Sequence, residues 1–192
     1  MKKFISIFLI AVLVIGLVAC TDDKKPKDDG LGNEPIDNMD GSKDNENGND
    51  KETLSKEVTL YFANKEYIDT GNEDLDKLIP EKRILEYGDI PLEEVIVSEL
   101  MKNPDNKNLS SAIPGTAKLL SVEVSDGTAF VDFSSDGMSG GSLQEFFTIN
   151  QIVASLLELE DIDQVQFLLD GEKAESLMGH FTVDEPLKEI ME

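Results

Sequence analysis

Carboxylates are the side chains of this sequence that come nearest to forming a catalytic group. Asp132 lies within a short apolar segment, and Asp136 and Asp170 follow predicted strands. Paired carboxylates are what glycoside hydrolysis requires. The chain holds 40 Asp and Glu residues in 192, however, so such pairs arise by chance. Alternation places Asp132 on the face of Phe130, opposite Val131, and we interpret it as a solvent-facing or turn-capping residue.

Nucleophile and base patterns are weaker still. His180 is the only histidine, and a general base needs a positioned partner, which its Gly-His context in the tail does not indicate. We interpret His180 as a locally hydrogen-bonded turn residue. Residues 137–141 are rich in glycine but lack the Gly-Lys-Ser/Thr end of a phosphate-binding loop. No Gly-x-Ser-x-Gly or Ser-x-x-Lys motif contains the hydroxyl-rich loop positions, which are Ser110, Ser111, Ser134, Ser135 and Ser139.

Two acidic stretches could suit calcium, because calcium prefers carboxylate and carbonyl oxygens. One is the loop cluster of Glu73, Asp74 and Asp76. The other is residues 44–48, where the glycine comes one place early for an EF-hand and Ser55 occupies the twelfth position in place of Glu. Neither fits a binding-loop template. The sequence therefore predicts no catalytic, cofactor-binding or metal-binding residue, and we expect no enzymatic activity.

Composition excludes several classes of function. There are 17 Lys and Arg residues against 40 Asp and Glu, which gives a formal net charge of −23. Nucleic-acid binding needs clustered cations for phosphate contacts, so we expect no nucleic-acid partner. A single Cys excludes an internal disulfide framework. The absence of Trp argues against a carbohydrate site built on aromatic platforms.

The single cysteine has a clear context. Residues 1–19 have the order of an export signal, with Lys2 and Lys3 followed by an apolar run. That run ends in Leu17, Val18, Ala19 and Cys20, which resembles a bacterial lipobox. In a lipobox the cysteine thiol receives a diacylglyceryl group and becomes the new N-terminus. We therefore predict Cys20 as a lipid-attachment residue, with acyl chains such as palmitate anchoring the protein to the outer face of the cytoplasmic membrane.

The remaining chain divides into a tether and a domain. Residues 20–53 begin with the lipidated cysteine and continue in Asp, Asn, Lys, Gly and Glu, with few large apolar residues. Such a segment cannot bury enough apolar surface to offset chain entropy, so we expect a disordered acidic tether. Residues 54–192 hold the regular apolar patterns and are long enough for one hydrophobic core.

Hydrophobic periodicity predicts the elements of the domain. Residues 57–63 alternate as a strand, and residues 82–87 form a weaker one. A helical pattern starts at Pro91, and a hairpin turns at Asp126 and Gly127. A second helix starts at Ser142 with the capping-box pattern Ser-x-x-Glu, which ends at Glu145. With a last strand at 164–169, the order β-(β)-α-β-β-α-β predicts an α+β fold, a small mixed sheet with two helices on one face.

An ordered set of segments resembles the GerMN domain, a module of spore-germination proteins from Gram-positive endospore-forming bacteria. The resemblance covers about residues 58–187 and implies a fold similar to the ring-building motifs of the channel between mother cell and forespore. It also implies export, lipid anchoring and a role in sporulation, germination or the cell envelope. It implies no catalytic residue. The matching segments are 58–62, 96–104, 111–116, 119–122, 131–134, 165–171, 179–180 and 185–187.

These observations favour a non-enzymatic extracytoplasmic module for protein assembly. Its partners would be the membrane, through the N-terminal lipid, and an exported protein or a second copy of the chain. The strong acidity suggests a basic partner. A module that binds peptidoglycan or a small wall ligand is the alternative, and a carboxylate-based hydrolase has the least support.

Overall fold

The first sheet contains the N-terminal strands of the domain. The computed structural model describes residues 53–192, in which β1 is Leu54–Asn64, β2 is Leu78–Tyr87 and β3 is Leu109–Ser110. Both β2 and β3 run antiparallel to the central strand β1. Along β1 the apolar residues Val58, Leu60 and Phe62 are buried and alternate with more exposed positions. One face of this sheet therefore contributes to the core.

The second sheet has the order β4-β5-β6-β7 and mixes both strand directions. Strands β4 and β5 form the predicted hairpin, and both turn residues, Asp126 and Gly127, have positive φ, as a two-residue hairpin turn requires. Strand β6 runs parallel to β5, so the chain must cross over between them, and it does so through a helix. The strands are Leu119–Ser125 (β4), Thr128–Phe133 (β5), Gln164–Leu169 (β6) and Glu172–Lys173 (β7).

Three helices complete the domain, namely α1 (Lys65–Thr70), α2 (Leu92–Leu100) and α3 (Ser142–Leu156). Both α2 and α3 contact strands of the two sheets as well as each other. From Glu145 to Leu156, every residue of α3 except Ala154 is buried. A helix that is buried on all sides needs neighbouring elements around its whole circumference. One continuous apolar core accordingly includes side chains of both sheets and both long helices.

The α+β class and the element order of the domain are confirmed. Several details differ from the prediction, and the short strands β3 and β7 were not predicted. The strands form two sheets, because the side-chain periodicity of a strand shows which face is buried but does not show which strand is its neighbour. The segment between the two predicted strands, to which no element was assigned, contains α1, which is capped by the Asn64 side chain and ends at Gly71 with φ of 63°. No helix among residues 53–192 is long and apolar enough to cross a membrane.

Candidate functional site

Two of the three carboxylates considered for catalysis, Asp132 and Asp170, hydrogen-bond to backbone at one end of the second sheet. Asp132 is only 9% exposed, and its Oδ1 accepts the Gly171 N–H at 3.1 Å. Asp170 accepts the Ser135 N–H at 3.2 Å through Oδ2. Hydrogen bonds from Ser135, and more weakly Ser134, hold the pKa of Asp170 below its usual value. Asp132 is buried, so its interpretation as solvent-facing is wrong, and its hydrogen bond to Gly171 in the turn after β6 agrees with the turn-capping alternative. Asp170 joins the same turn to the loop that follows β5.

Asp136 does not join this pair. Its Oδ2 lies 2.5 Å from Lys118 Nζ, in an exposed ion pair across the loop that follows β5. Ser134 Oγ accepts the Asp136 backbone N–H at 3.3 Å, and Ser111 Oγ donates to the Leu100 carbonyl at 2.6 Å. These hydroxyl groups serve local backbone structure.

Glu145 has a role that the sequence did not reveal. The capping-box prediction is wrong, because the helix is capped at Gly141 with no side-chain hydrogen bond. Glu145 is instead fully buried and accepts four hydrogen bonds from residues 176–180. The local Ser-x-x-Glu pattern could not show this, since the donors lie some thirty positions later in the chain. They are Ser176 Oγ at 2.9 Å, Leu177 N at 2.9 Å and Met178 N at 2.8 Å, all on Oε1, and His180 N at 2.8 Å on Oε2.

His180 is held by the same cluster. Its backbone N–H binds Glu145, and its ring Nε2 lies 3.2 Å from the Gly140 carbonyl oxygen. The interpretation of His180 as a locally hydrogen-bonded residue is wrong, because both of its partners lie on or just before α3, some 35 to 40 positions earlier in the chain. Within residues 53–192, neither contact is the carboxylate–imidazole pair that would orient His180 as a general base.

The acidic loop of Glu73, Asp74 and Asp76 lies beside a small aromatic cavity. Glu73 accepts a hydrogen bond from the Tyr67 hydroxyl at 3.1 Å, and Lys77 Nζ lies 5.4 Å from the centre of the Phe146 ring. The cavity has a volume of about 220 Å³. Within residues 53–192 no three His, Cys, Asp or Glu side chains converge as metal ligands. Cys20, the predicted lipid-attachment residue, and the acidic segment 44–48 lie outside the described residues.

A larger groove lies between β2 and α2. Arg83 of β2 stacks over the Phe62 ring at 5.0 Å and pairs with Glu81 at 2.7 Å and with Glu99 of α2 at 3.3 Å. Both ion pairs are partly buried, so they fix the wall of the groove. Asp105 and other residues of the α2–β3 loop close one end of the groove, whose volume is about 830 Å³. This groove was not predicted from the sequence, since Pro80 is a residue that argues against a strand and thereby hid the start of β2 at Leu78.

Solved structures show which fold this arrangement represents. The tandem GerMN domains of the sporulation protein GerM from Bacillus subtilis match with a TM-score of 0.56 and 22% identity over 70% of this chain. The match spans 46% of the tandem protein, which is less than half of its length. The first GerMN domain of the same protein gives a TM-score of 0.55 and 15% identity, and covers 71% of this chain and 96% of that domain. A candidate lipoprotein from Clostridium perfringens gives 0.46 and 22% identity, with 70% and 87% covered.

Sequence comparison identifies the family. None of the curated proteins matches the chain significantly. The family model named Germane, described as sporulation and spore germination, matches residues 59–175. That range runs from β1 through β7 and includes Asp132, Glu145 and the groove residues. Because the model matches more than half of the chain, this protein belongs to the Germane family of sporulation and spore germination domains.

Proposed function

We propose that the protein is a non-enzymatic, lipid-anchored module on the outer face of the cytoplasmic membrane, where it assembles with another protein during sporulation, germination or envelope remodelling. One observation carries the non-enzymatic part. The carboxylates closest to a catalytic arrangement, Asp132, Asp170 and Glu145, all accept hydrogen bonds from the protein's own backbone. These three carboxylates are committed to structure, which argues against their use as the acid and base of a hydrolase.

Membrane anchoring rests on the lipobox-like residues before Cys20 and on the tether that follows. Cys20→Ser removes the thiol that lipidation requires, so we expect the variant to leave the membrane fraction or to keep its signal uncleaved. Cell fractionation and the mass of the mature chain distinguish these results. A cleaved variant that stays in the membrane fraction would overturn the lipid anchor.

Binding of a small wall ligand is the second candidate function, and the aromatic cavity of Tyr67, Phe146 and Phe181 favours it. Lys77 at this cavity could face a carboxylate of a wall peptide. Against it, the chain has a net charge of −23, and anionic wall polymers carry the same sign.

Two measurements separate the candidates. In the first, the full chain in nonionic detergent is sedimented with purified peptidoglycan over a salt series. In the second, the native protein is cross-linked in cells and the products are identified. Assembly with a protein predicts a clear supernatant and a defined cross-linked partner. Wall binding would instead be established if the protein sedimented with peptidoglycan, if Lys77→Ala abolished this sedimentation, and if no cross-linked partner were found.

A further inference from the structure

Strand β2 has one edge on which several backbone groups are unpaired. The β1 residue Tyr61 lies opposite Pro80 in the β1–β2 register, and its N–H donates to Ser155 Oγ on α3 at 2.9 Å, on the side away from β2. Tyr61 and Pro80 are therefore a pair without ladder hydrogen bonds. Since such pairs alternate along an antiparallel ladder, Lys82, Ile84 and Glu86 also direct their N–H and C=O groups to the outer edge of β2.

This edge is exposed along its centre. No strand pairs with β2 on that side within the described residues, and Ile84 is 74% exposed, more than any other large apolar side chain there. Exposed strand edges are usually protected by a proline, a bulge or a charge. On β2 these features are Pro80 at one end and the charged side chains of Lys82 and Glu86, which leave Ile84 as the apolar position between them. The other long outer strand, β4, is protected by an irregularity between Leu119 and Ser121.

The groove beside this edge is acidic. Four carboxylates and two cations line it, and both carboxylates nearest Arg83 already pair with that cation. Asp105, at one end, has no ion pair among the described residues. At the other end Tyr87, Ile90 and Val95 line a cavity of about 240 Å³, where Ile90 is 51% exposed. Glu86 and Asp89 line this cavity as well, so the groove carries carboxylates at both ends and exposes apolar surface at Ile90.

We propose that the β2 edge binds an extended basic segment of a partner protein as an added strand. Backbone hydrogen bonds to Lys82, Ile84 and Glu86 would supply affinity, and alternate side chains of the segment would enter the groove. A Lys or Arg there meets the field of Asp105, since Glu99 already pairs with Arg83 and Lys102. This inference rests on the proposed assembly function and names its surface and the chemistry of its partner.

Charge favours a basic segment of another protein, rather than a second copy of this chain, as the strand that binds to the β2 edge. The chain carries −23, so two copies repel each other, and β2 itself contributes Glu81 and Glu86 to the groove. Juxtaposed like charges oppose an interface, whereas opposite charges accelerate and orient binding.

The test measures the binding of two fluorescent peptides to the full chain in nonionic detergent. One peptide alternates Val with Lys, and the other has Glu in place of each Lys. Ile84→Pro removes an outward N–H without touching the β1–β2 ladder, and Ile84→Thr is its matched control, since it keeps that N–H. We expect the Lys peptide to bind wild type and Ile84→Thr alike and to bind Ile84→Pro about tenfold or more weakly. The Glu peptide should not bind.

A second variant tests the charge without changing the strand. Asp105→Asn should weaken binding of the Lys peptide and reduce its salt dependence, because one attractive charge is lost. Circular dichroism and thermal unfolding establish that each variant is folded. The proposal would be overturned if the Lys peptide did not bind, if both peptides bound equally, or if Ile84→Pro and Ile84→Thr had equal affinity for the Lys peptide. Concentration-dependent dimers of the chain alone through this edge would overturn it as well.

Failure of this inference is distinct from failure of the proposed function. If the cross-linked partner of the native protein is captured equally by Ile84→Pro and Ile84→Thr, assembly stands and a different surface mediates it. If the native protein has no cross-linked partner at all, the assembly function itself fails.

Discussion

Glu145 is a buried carboxylate that no cation accompanies within residues 53–192. Removing a charged group from water is costly unless hydrogen bonds replace its hydration. Four donors from residues 176–180 do so, and the position in the first turn of α3 adds favourable interaction with the helix dipole. Glu145 therefore holds the C-terminal segment against the helix, and the sequence could not show this because a buried glutamate and a capping glutamate have the same local pattern.

Replacing Glu145 should destabilise the domain strongly. Glu145→Ala leaves three backbone N–H groups and one hydroxyl without their acceptor, so we expect a loss of about 3 kcal/mol or more in the free energy of unfolding. Glu145→Gln keeps one oxygen acceptor and should lose less. Urea unfolding measures both, with the exposed Glu160→Ala as control. Equal urea midpoints for Glu145→Ala and wild type would contradict the clamp.

Asp170 should contribute stability that depends on pH. Hydrogen bonds from Ser135 lower its pKa in the folded state below the ordinary value of 3.8. A lowered folded pKa means that the contribution is complete above the ordinary value and is lost as the pH falls through the folded value. The stability difference between wild type and Asp170→Asn should therefore be constant near neutrality and shrink in acid.

Thermal unfolding from about pH 2 to pH 6 measures this difference. Asp161→Asn is the control, since Asp161 is exposed and has no hydrogen bond in the part of the chain that the structure covers. A difference for Asp170→Asn that stays the same at every pH would show that the carboxylate charge does not matter there.

At the scale of elements, the local patterns predicted most of what was found. The hairpin, both long helices and β6 follow from periodicity and from turn residues such as Asp126 and Gly127. The packing around the elements was harder to predict. Helix α3 buries Thr148, Asn150 and Gln151 as well as its apolar stripe, and each is hydrogen-bonded to backbone of another segment. From sequence alone, a polar residue in a helix is assigned to the solvent-exposed face, because its hydrogen-bond partner lies far away in the chain.

The glycine-rich connection between β5 and α3 is fixed at Gly137. Its φ is 92°, and a Cβ there would lie 2.2 Å from the Thr116 carbonyl oxygen. Thr116 Oγ1 also donates to the Gly137 carbonyl at 2.7 Å. Gly137→Ala should therefore destabilise the fold by about 1–3 kcal/mol, measured by urea unfolding. Gly115→Ala, where a Cβ meets nothing within 4 Å, should be nearly neutral, and equal losses in the two variants would contradict this account.

At the scale of the whole molecule, α3 connects the two sheets. It contacts β1 of the first sheet and β6 of the second, and Ser155 accepts the Tyr61 N–H of β1. Tyr61 also donates through its hydroxyl to Glu158 at 2.7 Å, and this hydrogen bond raises the pKa of Tyr61. Because one core spans both sheets, neither sheet keeps its buried face covered without α3. The two sheets should therefore unfold together.

A cavity in α3 tests this cooperativity. Ile152 is fully buried in the shared core, so Ile152→Ala should cost about 2–5 kcal/mol. If the sheets form one cooperative unit, hydrogen exchange of the most protected amides should accelerate by the same factor in β1 and in β5, since both open only by global unfolding. The exposed Ile84→Ala should leave both rates nearly unchanged. Faster exchange in β1 alone would mean that the second sheet persists on its own, and α3 would then support only one of the two sheets.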